Sequence, residues 1–381
     1  MKDVYIVKCE NYESVRVYSA MKKLLIDNGL LDFVKPDMTV GIKANLVSFL
    51  KPEAAATTHP EALYALSRLI NELGAKVVIG DSPGGLYNSA FVERVYAATG
   101  LKNIECEEIA LNRDYSQSDA QFPEARVLKT FQYTSWLDNC DAVINFCKLK
   151  SHGMMGMSAG AKNMFGVIPG TMKPEYHFRF KNPEDFARMI IDINDYFSPA
   201  LTVCDGVIGM EGNGPTAGTP RHIGCLLAAQ NPHKLDLVCS DIIGLDPKEI
   251  PTLMAAAERD YIPKDLSLPE IEGDYSGIKL DDFKNVEVRN SLLFTGKGGV
   301  LSSVFGGVLQ NLLASRPVLK AEECVGCREC FKICPAKAIT MEDNKPQINR
   351  KQCIRCFCCQ EFCPKGALKV KRTVIAKILN K

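Results

Sequence analysis

The stretch "CVGCRECFKICP" (residues 324–335) is followed by "CIRCFCCQEFCP" (residues 353–364). Cys324, Cys327, Cys330 and Cys334 match Cys353, Cys356, Cys359 and Cys363 at a constant offset of 29, and each run closes on Cys-Pro. The flanks repeat as well, "PAKAI" against "PKGAL". Each half is too small to build a core of its own, so the two read as a duplication that folds as one unit. The spacing C-x2-C-x2-C-x3-C-P is that of iron–sulfur ligation. Three closely spaced thiolates hold three irons of one cubane from a tight loop, and the fourth reaches across to the other cluster. Cys324, Cys327, Cys330 and Cys363 are therefore expected to hold one [4Fe–4S] cluster, and Cys353, Cys356, Cys359 and Cys334 the second. Zinc sites pair two C-x2-C knuckles and have no tetrahedral use for a third cysteine at the same spacing. Cys358 is surplus and reads as a bystander.

Sixteen cysteines would suit a disulfide scaffold, but their distribution does not. Cys9, Cys106, Cys140, Cys147, Cys204, Cys225 and Cys239 are scattered, while the other nine crowd into forty residues. Isolated cysteines in apolar runs behave as small hydrophobes, and clustered ones fit metal ligation in a reducing compartment. The opening "MKDVYIVKCENYESV" lacks the apolar core of a signal peptide. The longest apolar stretch, "GGVLSSVFGGVLQNLLA" (298–314), is interrupted by Gly, Ser and Gln and falls short of the roughly 20 residues that cross a bilayer. A cytoplasmic protein without a transmembrane segment is expected. Net charge is +1 and pI about 7.4, so no global field calls for nucleic acid.

Before residue 298 strand-like and helix-like stretches alternate. "TVGIKAN", "KVVIGDSP", "DAVINFCKLK" and "LTVCDGVIG" read as buried strands, and "HPEALYALSRLINELGA" and "PEDFARMIIDINDYF" as helices, with Thr58 as the N-cap of the first. Such alternation predicts an α/β domain with a mostly parallel sheet over residues 1–297. A linker (298–317), a small α+β domain for the two clusters (318–372) and a basic tail (373–381) follow. The lysines after Cys363 read as a solvated helix face.

Ligands in parallel sheets sit beyond the carboxyl ends of strands, and the polar, glycine-rich stretches here follow strands. They supply Lys43, Asn45, Asp81, Ser82, Glu211 and Asn213 as candidate binding residues, with Thr58 and Asn163 beside them. The stretch "SHGMMGMSAGAKNMFGVIPG" (151–170) is richer. Ser158 is placed to cap a short helix whose free N–H groups, together with Lys162, favour an anion. His152 and His177 flank that lysine and are candidate catalytic groups with it.

The order Lys-x-Asn, Thr-His-Pro, Gly-Asp-Ser-Pro-Gly, Lys-x-Lys-Ser-His, Gly-Ala-Lys-Asn and Met-Glu-Gly-Asn-Gly-Pro resembles an iron–sulfur protein family. That family is built on the domain of unknown function 362, often fused to a bacterial-type two-cluster ferredoxin. The large domain also bears a distant resemblance to nickel-pincer lactate racemase. "GMSAGAKNMFGVIPG" is similar to that family's cofactor loop, with Lys162 on the tether, His152 near the catalytic histidine and His177 near a nickel ligand. It departs from that pattern at His59, which replaces an arginine, and at "GDSPGG", where the racemases carry a second proton-transfer histidine. These features imply an oxidoreductase whose clusters exchange electrons with a redox partner protein and with a small anionic ligand or further cofactor in the α/β domain. A non-redox, racemase-like enzyme and a cofactor-binding or maturation protein are the alternatives.

Overall fold

The computed structural model describes residues 2–286 and 315–371. Eleven strands belong to the large domain: β1 (Val4–Lys8), β2 (Thr39–Lys43), β3 (Lys76–Gly80), β4 (Ile109–Leu111), β5 (Gln117–Gln121), β6 (Thr130–Thr134), β7 (Ala142–His152), β8 (Gly156–Ser158), β9 (Leu201–Glu211), β10 (Thr219–Ala229) and β11 (Ile271–Glu272). Apart from the β5–β6 hairpin they form one sheet, ordered β11–β1–β10–β9–β7–β2–β3–β4 with β8 added to β7. The strands from β9 to β4 are all mutually parallel, whereas β10 runs antiparallel to both β9 and β1. The mostly parallel sheet expected from the alternation is thus present. Its continuous apolar runs follow from burial on both faces.

Helices α1 (Ser14–Leu25), α2 (Pro60–Glu72) and α3 (Ser89–Ala98) cover one face. There Met21, Leu66 and Val92 pack with Ile42, Ile79 and Phe146. After the short helices α4 (Gly160–Asn163) and α5 (Lys173–Arg179), helices α6 (Pro183–Phe197), α7 (Pro232–Ile242) and α8 (Pro251–Ala257) cover the other. Ile190, Val238 and Leu253 close over Cys147, Cys204 and Leu227 on that side. The scattered cysteines do serve mostly as small apolar core residues: Cys9, Cys147, Cys204, Cys225 and Cys239 are buried. Thr58 does not cap α2. His59 takes that position and accepts from the Glu61 N–H, because the Thr58 hydroxyl is already committed to the Phe146 carbonyl at 2.9 Å.

Chain direction places the site. From β2 the chain steps outward to β3 and β4, then returns to β7 on the other flank of β2. This makes the β2/β7 boundary a topological switch point, where a crevice opens at the strands' carboxyl ends.

The C-terminal domain is small and ferredoxin-like. Arg316–Leu319 pairs antiparallel with Leu368–Lys371, Ile339–Glu342 pairs with Lys345–Ile348, and two short helices span Glu329–Ile333 and Cys358–Glu361. The offset of 29 reappears in the backbone. Gly326 and Arg355, Arg328 and Phe357, and Lys337 and Gly366 are pairs of left-handed residues at that spacing. The Cys334 and Cys363 sulfurs likewise accept N–H bonds from Ala338 (3.3 Å) and Ala367 (3.2 Å). The expected linker at 298–317 lies outside the described residues except for its end, where Arg316 already begins a strand. The lysines after Cys363 do not form a helix within the described residues: Lys369 and Lys371 belong to the strand Leu368–Lys371, and the tail 373–381 lies outside them.

This domain is docked on the larger one. Phe357 joins the large domain's core, and Gln360 donates to the carbonyls of Asn213 (2.9 Å) and Gly214 (3.2 Å). Asn213 in turn accepts from the Val370 N–H at 3.0 Å.

Candidate functional site

A cavity of about 670 Å³ opens where the carboxyl ends of β2, β3 and β7 meet the ferredoxin-like domain. Asn45 enters it from β2, Asp81 and Ser82 from β3, Lys150 and His152 from β7, and Lys162 and Asn163 from α4. Helix α5 adds Lys173 and His177, while Glu361, Phe362 and Cys363 close it from the other domain. The pale glycines of "GDSPGG" acquire a reason here. A Cβ on Gly84 would stand 2.9 Å from the Phe362 ring, so only a glycine lets the second domain come this close.

The inner end of the cavity is cationic. Lys150 donates to Asn45 Oδ1 and to the Ala56 carbonyl, both at 2.7 Å, and forms no ion pair with a carboxylate among the described residues. Burial lowers its ammonium to about 7, and the Lys173 amine, which bonds the Ser82 carbonyl, to about 7 as well. Lys162 lies 5.0 Å from the Phe165 ring and 6.0 Å from Phe186; burial lowers its pKa also. Lys43 stands behind this group in a buried ion pair with Asp81 at 2.8 Å.

His152 Nδ1 accepts the N–H groups of Met154 (3.1 Å) and Met155 (3.2 Å). The imidazole proton is thereby held on Nε2, 3.1 Å from Glu361 Oε1. Burial alone would raise the Glu361 carboxyl, but His152, Lys162 and His177 outweigh it and hold the group near 2. His177 stacks on Phe186 at 4.4 Å, and burial pushes it down to about 3. Two buried polar atoms of this wall have no hydrogen-bond partner among the described residues, Ser82 Oγ and His177 Nδ1, whereas Glu361 Oε1 is engaged by His152. Buried groups are normally satisfied, so two open atoms facing one cavity leave room for a partner from within it, water or a ligand.

Several expected residues lie elsewhere. Lys43 and Thr58 are buried behind the wall. Glu211 accepts the Lys284 N–H at 3.1 Å, away from the cavity, and Asn213 fastens the second domain. Ser158 lines the cavity but does not cap α4. The N–H groups of Gly160 (2.6 Å) and Ala161 (3.0 Å) are taken by the Asp236 carboxylate, so that helix start has no free donors for an anion. The anion-attracting character comes from lysine side chains instead.

Two smaller cavities lie inside the ferredoxin-like domain. Cys324, Cys327, Cys330 and Cys363 surround one, and Cys334, Cys353, Cys356 and Cys359 the other. Cys358 borders neither of them; it is buried next to them. Among the described residues no three His, Cys, Asp or Glu side chains converge on a single metal ion. A cubane does not ask for that, because each thiolate binds its own iron.

Comparison with known proteins agrees with this division. Residues 40–241 match the model of a domain of unknown function, DUF362, and residues 316–364 that of a 4Fe-4S dicluster domain. The chain belongs to the DUF362 family. It is an iron–sulfur protein. A thylakoid-associated protein of Synechocystis sp. is 35% identical over 267 residues, covering 68% of this chain and 79% of that one. Among solved structures, the lactate racemase apoprotein of Thermoanaerobacterium thermosaccharolyticum superposes with TM-score 0.40 at 12% identity, over 62% of this chain and 56% of the other. A Thermotoga maritima protein gives 0.36 at 11%, over 56% and 55%. The chain thus spans little more than half of those two structures, and such likeness carries no chemistry. Among the described residues no helix is long and apolar enough to cross a membrane.

The cavity of this DUF362 chain straddles both matched regions. Lys150, Lys173, Phe49, Phe91, Arg94 and Glu361 line it yet were not singled out from sequence. One signal was present: Lys148 and Lys150 alternate at the end of an otherwise apolar strand, where period two puts them on the face of Ile144 and Phe146. Glu361 had no such signal, sitting inside a cysteine run about two hundred residues from its partners.

Proposed function

We propose that this DUF362 protein is an oxidoreductase in which two [4Fe–4S] clusters exchange electrons with an anionic ligand in the interdomain cavity. Cys324, Cys327, Cys330 and Cys363 hold the first cluster, and Cys353, Cys356, Cys359 and Cys334 the second. One observation carries the reading: Cys363 borders both the first four-cysteine cavity and the large one. A ligand there sits against a thiolate of the first cluster, a short path for an electron. Lys150 and Lys162 hold its charge, and His152, with its proton on Nε2, is placed to exchange that proton through Glu361. Electrons arrive from a partner protein at the face where Cys327 is exposed, beside Val325 and Phe331.

Anaerobically purified protein should carry about eight irons and eight sulfides per chain. Potentiometric titration followed by electron paramagnetic resonance tests the coupling. Lys162→Met should move the midpoint of one cluster and leave the other unchanged, because charges near a cluster set its potential. Stoichiometric zinc without sulfide would overturn the cluster assignment. Two potentials that ignore both Lys162→Met and Glu361→Gln would leave the clusters structural and return the chain to the non-redox reading.

A further inference from the structure

We propose that the cavity takes an elongated aromatic anion, a flat ring system joined to a carboxylate or phosphoryl group, and not a small hydroxy acid. The inference deepens the reading above and rests on it for the role of the site. Size is the first argument. A ligand of about six heavy atoms displaces only three or four waters, on the order of 100 Å³, whereas the cavity measures about 670 Å³, within the range of cofactor and drug-sized sites.

Polarity is the second, because the two ends differ. The inner end holds Lys150, Lys162, the His152–Glu361 pair and the two open atoms of Ser82 and His177. The outer end is aromatic. Phe49 and Phe91 meet at 4.5 Å, the Arg94 guanidinium lies 4.7 Å over the Phe49 ring, and Phe362 adds a third ring from the second domain. All three phenylalanines are only half-buried, leaving ring surface turned to the cavity where a flat group stacks well.

Charge is the third. Of the acids in the wall, Asp81 is paired with Lys43 and Glu329 with Lys332, so Glu361, which also meets His152, stands against Lys150, Lys162 and Lys173. While these lysines hold their protons the surplus is cationic, and an anionic ligand, which brings the balancing charge, favours that state. The open Ser82 hydroxyl, both donor and acceptor, further suits a ligand with a polar group close to its charged end.

The test uses full-length, anaerobically purified protein with its clusters, titrated by calorimetry with 2-naphthoate, 1-naphthyl phosphate, acetate, inorganic phosphate and lactate. At least one naphthyl anion should bind about tenfold or more tightly than its head group alone. Phe91→Ala should remove that advantage and leave head-group affinity within about twofold, whereas Lys162→Ala should weaken the aromatic and the plain anion alike. If Phe91→Ala loses its clusters or its cooperative melt, Phe91→Leu, which keeps an apolar side chain, serves instead. Carboxylate against phosphate preference identifies the head group. Lactate binding as tightly as either naphthyl anion, or neither naphthyl anion binding, would overturn the proposal. Ligand-free cluster potentials separate the two ideas: a midpoint moved by Lys162→Met with no naphthyl binding defeats the ligand class alone.

Discussion

Lys148 and Lys150 stand two residues apart on β7, and each is 1% exposed. Their surroundings are opposite. Lys148 Nζ meets Asp205 at 2.9 Å and the Tyr12 hydroxyl at 2.7 Å. Tyr12 donates to Asp205 at 2.7 Å and stacks on His59 at 3.6 Å. That network is closed from within the protein. Among the described residues Lys150 finds two neutral oxygens and no carboxylate, and it lines the cavity. A buried cation without a counter-charge is costly, and folds retain one where something outside supplies the charge. The first lysine ties β7 to β9; the second belongs to the site.

The largest expected effect breaks the closed network. Asp205→Asn strands the Lys148 ammonium and should cost about 3–5 kcal/mol, the usual result of removing one partner of a buried pair, read as a lower urea midpoint. Lys150→Met should not destabilise the chain; a comparable loss would make the two lysines equivalent and dissolve the contrast.

pH sharpens the difference next. Burial holds Lys150 near 7, so between about pH 7 and 10 the folded chain binds fewer protons than the unfolded one. Stability then rises with pH through this group. Compared with Lys150→Met, the wild type should gain about 2 kcal/mol from pH 7 to 9, measured by urea melts of anaerobic protein at each pH. A difference that stays flat would mean that Lys150 keeps its proton throughout.

Smaller still is the effect on binding. Lys150→Met should weaken 2-naphthoate about tenfold at pH 6.5, where the lysine is charged, and much less at pH 9. Smallest is Tyr12→Phe, which deletes one hydroxyl from the closed network. It should cost about 1 kcal/mol of stability and leave 2-naphthoate affinity unchanged. A loss of affinity there would join two regions that are separate in the fold.

Much of the architecture was legible because its signals are local. Strand and helix periods lie within a dozen residues, and the cysteine spacing is a property of single loops. The short segments escaped that reading. Thr58 and Ser158 carry capping chemistry in sequence, yet the Phe146 carbonyl engages one and Asp236 satisfies the helix start beside the other. Both competing groups come from far along the chain. Among the site residues, Asn45, Asp81, Ser82, His152, Lys162 and Asn163 were in view in stretches that follow strands and His177 as a flank of Lys162, and all line the cavity. Glu211 and Asn213 follow a strand equally well, but β9 ends beside the second domain's docking surface, so Asn213 holds that domain in place.

The sequence by itself determined the α/β alternation, the duplicated iron–sulfur unit and the strand-end lysines and histidines, since each is written in neighbouring residues. Tertiary structure alone decided that Glu361, Phe362 and Cys363 close the cavity, that Lys148 is paired while Lys150 is not, and that Gly84 must be small. These are relations between residues far apart in the chain, and packing of the two domains, with the desolvation it imposes, brings them into being.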